Sequence, residues 1–199
     1  FIPTTLKDSE HIGQTIFGRE VLKISYADVV SQCWQALADK ESALCVIDDG
    51  VYGSNAYDGN LAVTLLRSAG YGAGGSAWGE PFREPMYQQR MDQGERRYRF
   101  RVMAGKRDDI LLRADREAAQ FNQKAYALAF CGTKPKELIS VDRENVTLSC
   151  FKQSERDAAK YIFRLFEAQG TECDAHIELP IAGVSLDTHF TPFEIKTFM

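Results

Sequence analysis

Period-two hydrophobic patterning in short segments is the feature that most narrows what this chain can fold into. Apolar or alternating runs occupy 29–38, 43–47, 61–66, 97–104, 125–130, 146–151, 161–166 and 195–199, and most are bounded by Gly, Asp, Asn or Pro. Successive side chains of a strand point to opposite faces. In TLSCFKQ, Leu148 and Cys150 alternate with Thr147 and Ser149, as in a half-buried antiparallel strand. Each such sheet must cover its apolar face with another layer, and 199 residues suffice to bury a substantial core. The predicted fold is mainly β, an antiparallel β-sandwich with one inserted helix. That helix is predicted over 109–122, where Leu111, Ala114, Ala118 and Phe121 share one face and Asp108 or Asp109 is available as N-cap. The main sandwich is assigned to 1–134. The strands of 135–199 either complete it or form a small C-terminal β subdomain.

Charge excludes one class of partner. With 24 basic and 28 acidic side chains the formal charge is −4, and the two signs are interspersed, so no basic surface stands ready for nucleic acid. The most basic run, from Arg96 to Arg107, alternates arginine with Tyr98, Phe100 and Val102, and is read as a strand with its arginine face exposed and its other face packed. No apolar run approaches the 18 residues or so of a membrane span. Five dispersed cysteines, an odd number, fit a reduced compartment, and a cytoplasmic location is expected. The opening FIPTTLKDSE, with Phe1 in first place, is taken as an internal cut or a processed product.

The acidic stretch DDGVYGSNAYDGN, from Asp48 to Asn60, has the composition of a catalytic or metal-binding loop. Asp48, Asp49 and Asp58 are nevertheless read as turn formers, since aspartate before glycine satisfies nearby backbone N–H groups and the calcium-loop spacing is absent. Only three histidines occur, and the sole close Cys/His pair, Cys173 and His176, falls on opposite faces if that segment is a strand. No metal ligands and no catalytic residues are assigned. GGSAW around Ser76 misses a hydrolase elbow by its second glycine, and GYGAGG from Gly70 lacks the Lys-Ser/Thr of a phosphate loop. The Gly- and Pro-rich stretch 69–89 is predicted to be one long loop, a common place for function.

One set of segments, taken in order, carries a resemblance. SQCWQAL at Ser31, VIDDGVYGSNAYDGNLAVTLLRS at Val46, MDQGERRYRFRV at Met91, QFN ending at Asn122, RLFEAQG at Arg164 and TPFEIKTFM at Thr191 together resemble the C-terminal β region of bacterial α-mannosidases of glycoside hydrolase family 38. The resemblance runs over nearly the whole chain from about Ile16. It implies a galactose-mutarotase-like supersandwich belonging to a retaining, zinc-dependent exo-mannosidase that hydrolyses terminal α-mannosides. It also implies that the zinc ligands, nucleophile and acid/base carboxylate lie in the parent enzyme's N-terminal domain, leaving this chain without cofactor and inactive alone.

The implied partners are the catalytic barrel and helical domain of the same parent chain and, in the whole enzyme, an α-mannoside. A homodimer of the isolated chain, through surface the barrel would cover, is a further expectation. The resemblance implies that an arginine of this region lines the sugar pocket, and Arg67 of the LLR segment fits that position, with Tyr71 and Trp78 of the following loop as further substrate contacts. A strand-end salt bridge is the plainer role for Arg67. An autonomous carbohydrate-binding module displaying Tyr52, Tyr57, Tyr71 and Trp78 is the alternative function. A stand-alone enzyme with an unrecognised acid pair is the third.

Overall fold

The computed structural model describes residues 1–67, 92–127, 129 and 137–199. In chain order the strands are β1 (Ile2–Pro3), β2 (Glu10–Thr15), β3 (Gly18–Leu22), β4 (Ser25–Val30), β5 (Trp34–Ala38), β6 (Ser42–Asp48), β7 (Gly53–Tyr57), β8 (Asn60–Thr64) and β9 (Phe100–Lys106). The helix α1 (Arg107–Asn122) follows, then β10 (Ser140–Val141), β11 (Val146–Gln153), β12 (Tyr161–Glu167), β13 (Cys173–Leu179), β14 (Val184–Phe190) and β15 (Ile195–Phe198). Every pairing among these strands is antiparallel. They form a five-stranded sheet of order β3-β2-β5-β6-β9, a four-stranded sheet of order β1-β8-β7-β4, and two three-stranded sheets, β10-β13-β14 and β11-β12-β15. The mainly β sandwich with one inserted helix is thus the observed architecture.

The five-stranded sheet is the middle layer, which explains why all five residues of β5 are buried. Cross-strand partners share a face, so Trp34 with Ile47, Ala36 with Cys45 and Ala38 with Ala43 point together at Ile110, Leu111, Ala114 and Ala118 of α1. Leu37 and Val46 point the other way, onto Ala56 and Leu61 of the four-stranded sheet. Burying a Leu or Val side chain stabilises by roughly 1.5–3 kcal/mol, so these alternating positions hold the three layers together. Beyond residue 137 the two smaller sheets bury a cluster of their own, built on Phe163, Leu165, Ile177 and Phe190.

Several local expectations change. The helix starts at Arg107, two residues early, and Lys106 is its N-cap with no side-chain cap bond; Asp108 and Asp109 lie in the first turn, where carboxylates oppose the positive end of the helix dipole. The predicted strand 29–38 is two strands, interrupted at 31–33. In β9 the expected faces are exchanged: Arg101 and Met103 are half-buried against the helix side, while Phe100 and Val102 are exposed. The cause is the position of β9 at the sheet edge. Val102 pairs with Val46 and so faces the four-stranded sheet's side, but little covers it so far out. Arg101 is held by Glu117 at 2.5 Å and lies over the Phe121 ring. Residues 125–127 form no strand, and the remainder of segment 125–130, apart from a turn at 129, lies outside the described residues along with the 134/135 boundary.

Candidate functional site

The acidic stretch resolves into two turns and a strand. Asp58 and Gly59 both adopt positive φ, 48° and 71°, and form the two-residue loop between Tyr57 and its partner Asn60, the geometry that hairpin twist favours. Gly50, at φ 86°, makes the other turn. Between β6 and β7 the backbone is pinned by the Ser31 N–H donating to the Tyr52 carbonyl at 3.1 Å. Asn122, at the end of α1, donates to the Asp48 carbonyl at 3.0 Å. Asp49 projects outward and accepts from Arg99.

Asp48 itself faces inward and is fully buried. One of its oxygens accepts the Val51 N–H at 3.0 Å, while the other has no hydrogen-bond partner. Burial pushes its pKa up to about 6. Gln35 faces it without a well-formed bond, its amide oxygen accepting instead from the Ser31 hydroxyl at 2.7 Å. His11 continues this buried polar strip between the sheets, 3.4 Å from the Ser54 hydroxyl, and burial lowers its pKa to about 4. These groups are fully buried, so the geometry fits the turn-forming reading of the acidic stretch and makes its first aspartate a buried structural group.

Arg67 follows β8 and lies on the outer face of the four-stranded sheet. Its guanidinium donates to Asp28 of β4, and its side chain is 73% exposed. Asp28 also accepts from the Thr64 hydroxyl and from the Asn55 amide, both at 2.8 Å. The donation from Arg67, followed by those from Thr64 and Asn55, holds the Asp28 pKa below the usual carboxylate range. Asp28 therefore fixes one edge of the guanidinium and leaves the rest of the fork facing outward. Tyr52, Leu65 and Tyr98 join Arg67 around a shallow cleft of about 310 Å³. Tyr71 and Trp78 lie outside the described residues. Tyr57 is half-buried on the same sheet face, its ring tilted against that of Tyr26, whereas Tyr52 is exposed.

Two other carboxylates, Asp115 and Glu167, are buried at the junction between the helix and the C-terminal sheets. Asp115 accepts from the Trp34 indole at 2.8 Å, Gln14 at 2.9 Å and Gln169 at 3.0 Å, and burial raises its pKa against those bonds. Glu167 accepts the backbone N–H groups of Gln169 and Gly170 at 2.7 Å and of Phe193 at 2.9 Å, with Asn145 at 3.1 Å. Acid/base glycosidase chemistry needs carboxyl oxygens open to a sugar. These are committed to donors and serve as structural fasteners.

Among the described residues no three His, Cys, Asp or Glu side chains converge to hold a metal ion. His176 and His189 each bond a carboxylate across the strand pair, Asp187 at 2.7 Å and Asp174 at 2.9 Å. The zinc that the resemblance implies finds no fitting donor set among the described residues. Four cysteines, Cys33, Cys45, Cys150 and Cys173, are free thiols, and no described helix is long and apolar enough to cross a membrane. Asp28, Asn55, Thr64 and Tyr26 were not singled out from the sequence; the available signal was Asp28, an acid between Tyr26 and Val29 in an otherwise apolar run.

No family profile and no curated protein matches the chain. Among solved structures it is similar to a protein in glycosyl hydrolase family 38 from Enterococcus faecalis, with a TM-score of 0.75 and 13% identity, over 98% of this chain and 25% of that one. It is also similar to an alpha-mannosidase from Enterococcus faecalis V583, with a TM-score of 0.77 and 15% identity, over 98% of this chain and 24% of that one. The likeness is one of fold, and the chain spans about a quarter of the length of either structure.

Proposed function

We propose that this chain is a β-sandwich domain of a longer, retaining, zinc-dependent α-mannosidase, in its C-terminal region, where it supports the catalytic domain and contributes Arg67 to the wall of the sugar site. The observation that carries this is the fold likeness: nearly the whole chain superposes on part of two structures, one described as glycosyl hydrolase family 38 and the other as an alpha-mannosidase, and fills only a quarter of each. On this account the zinc, nucleophile and acid/base group are supplied by polypeptide outside the chain. The residues from 135 to 199 form a smaller β subdomain, in keeping with their separate buried cluster. A cytoplasmic enzyme fits the free thiols.

The way Arg67 is held supports this role. Asp28 restrains the guanidinium, so its outward N–H groups can donate to a mannoside hydroxyl with little further loss of freedom. Replacing Arg67 by alanine in the intact enzyme is expected to lower kcat/KM on an aryl α-mannoside by about 10- to 100-fold, the equivalent of one charged hydrogen bond. Unchanged kcat/KM refutes the assignment. The exposed ring of Tyr52 beside Arg67 favours a second account, an autonomous carbohydrate-binding module. Calorimetric titration of the isolated chain with mannose oligosaccharides separates the two, since saturable heat supports the module and its absence the supporting domain.

A further inference from the structure

The five-stranded sheet is covered on both faces, by α1 and by the four-stranded sheet. The outer face of the four-stranded sheet has no covering layer among the described residues. It instead displays large apolar side chains: Tyr26 and Val30 of β4 are 73% and 72% exposed, and Tyr52 and Leu65 are exposed where the face meets the Arg67 cleft. Tyr26 lies against Tyr57, with ring centroids 4.4 Å apart. Val30 is opposite Gly53, which keeps the surface low at its centre; a Cβ there would come within 3.1 Å of Thr64. Large apolar side chains exposed together on one face mark interaction sites, and here Tyr26 and Val30, with Asp28 between them, lie on an edge strand, which soluble proteins usually protect.

Most of the polar groups at the centre of this face are already paired. Asp28 has three donors, its charge is balanced by Arg67, and the Tyr26 hydroxyl donates to Asp58 at 3.2 Å. Covering such a surface leaves chiefly the outward N–H groups of Arg67 and the unpartnered Asn55 amide oxygen for the partner to satisfy, which keeps the desolvation cost of making an interface small.

We propose that this face docks against the remaining polypeptide of the parent protein, with Tyr26 and Val30 at the centre of the contact and Arg67 at its rim. The proposal rests on the chain being one domain of a longer polypeptide, and the occupant is chosen because about three quarters of the length of each similar structure lies outside the matched region. With Arg67 at the rim, the docked face points its guanidinium toward the neighbouring domain rather than into bulk solvent.

Hydrogen exchange of β4 and of the β7-β8 hairpin, measured in the intact parent and in the isolated 199-residue chain, tests it. The expected result is slower exchange in the parent, with the added protection falling about tenfold or more in Tyr26→Lys/Val30→Lys, as for residues at the centre of an interface. The added protection is taken as the difference between the variant parent and the variant isolated chain, which removes any local effect of losing the Tyr26 contacts to Tyr57 and Asp58. Val30→Ser is the milder variant should the double one unfold the isolated chain. Equal exchange in parent and isolated chain overturns the proposal, as does protection that survives the substitutions. Self-association of the isolated chain that the variant abolishes, without protection in the parent, also overturns it and identifies the occupant as a second copy. Mannosidase activity is assayed separately, so a parent inactive on α-mannosides refutes the functional assignment while leaving the docking result readable.

Discussion

Replacing Asp48 by asparagine is expected to stabilise this protein at neutral pH, although Asp48 opens the acidic stretch DDGVYGSNAYDGN. Its carboxylate is fully buried, one oxygen lacks a partner, and its pKa is raised from an ordinary 3.8 to about 6. A raised carboxylate pKa means that the folded state binds the proton more tightly than the unfolded one. Its contribution to stability is full below pH 3.8, declines as pH rises toward 6, and is gone above it. The cost of ionising it in place is about 2–3 kcal/mol. Asparagine keeps an acceptor for the Val51 N–H and adds a donor where the unpaired oxygen was. Gln35 can turn its amide to accept from that donor, since the Ser31 hydroxyl can accept as well as donate. Urea unfolding at a series of pH values should show Asp48→Asn more stable by that amount at pH 7, equivalent to roughly 5–10 °C in Tm, with the difference shrinking toward zero near pH 4. Comparing the two proteins is essential because His11 acts in the opposite sense. With its pKa lowered to about 4, it contributes stability present above pH 6.5 that is lost as pH falls, and this cancels in the difference. A variant that is less stable at pH 7, or a difference that does not vary with pH, would refute the account of Asp48 as an ionised group held at a cost.

Three further substitutions probe other parts of the fold. Asp115→Ala should cost about 2–4 kcal/mol in urea unfolding, because it strips the buried Trp34 indole and two glutamine amides of their acceptor; a loss below about 0.5 kcal/mol would contradict its role as a fastener. Gly13→Ala should cost about 1–3 kcal/mol, since the new methyl would come within 2.5 Å of Leu22 and 2.8 Å of Ser31, and an unchanged denaturation midpoint would show that these neighbours yield freely. Arg67→Ala in the isolated chain should change stability by less than about 1 kcal/mol, as for exposed ion pairs, while an NMR titration shows the Asp28 pKa rising toward the normal range; a large destabilisation would make the pair structural rather than functional.

The sandwich and its helix were legible because burial imposes periods of two and near 3.6 on the chain. Leu111, Ala114, Ala118 and Phe121 do pack on the sheet, and β6, β11 and β12 fall where alternation predicts. Strands escaped notice where buried positions are filled by something other than large apolar groups. β2 uses buried His11 and Gly13, the latter demanded by the close approach of Leu22. β7 reads GSNAY and is hidden within a run of turn formers. β13 alternates Ala175, Ile177 and Leu179 with Asp174, His176 and Glu178, a full period-two pattern that the eight predicted segments omit. The faces of β9 were exchanged because alternation identifies two sides of a strand without saying which side has a neighbour. At the candidate site, Arg67 was identified through resemblance alone. Its partner Asp28, and the Asn55 and Thr64 that donate to the same carboxylate, come from three different strands, and only the hydrogen-bonded register brings them together.

The central claim is that the chain is a supporting domain of an α-mannosidase and holds no complete active site. Hydrolysis of an aryl α-mannoside, followed for the intact parent polypeptide and for the isolated chain at equal concentration, measures it directly. The account predicts turnover with retention of anomeric configuration by the parent and none by the isolated chain. A parent inactive on α-mannosides, or an isolated chain that turns the substrate over unaided, would contradict it.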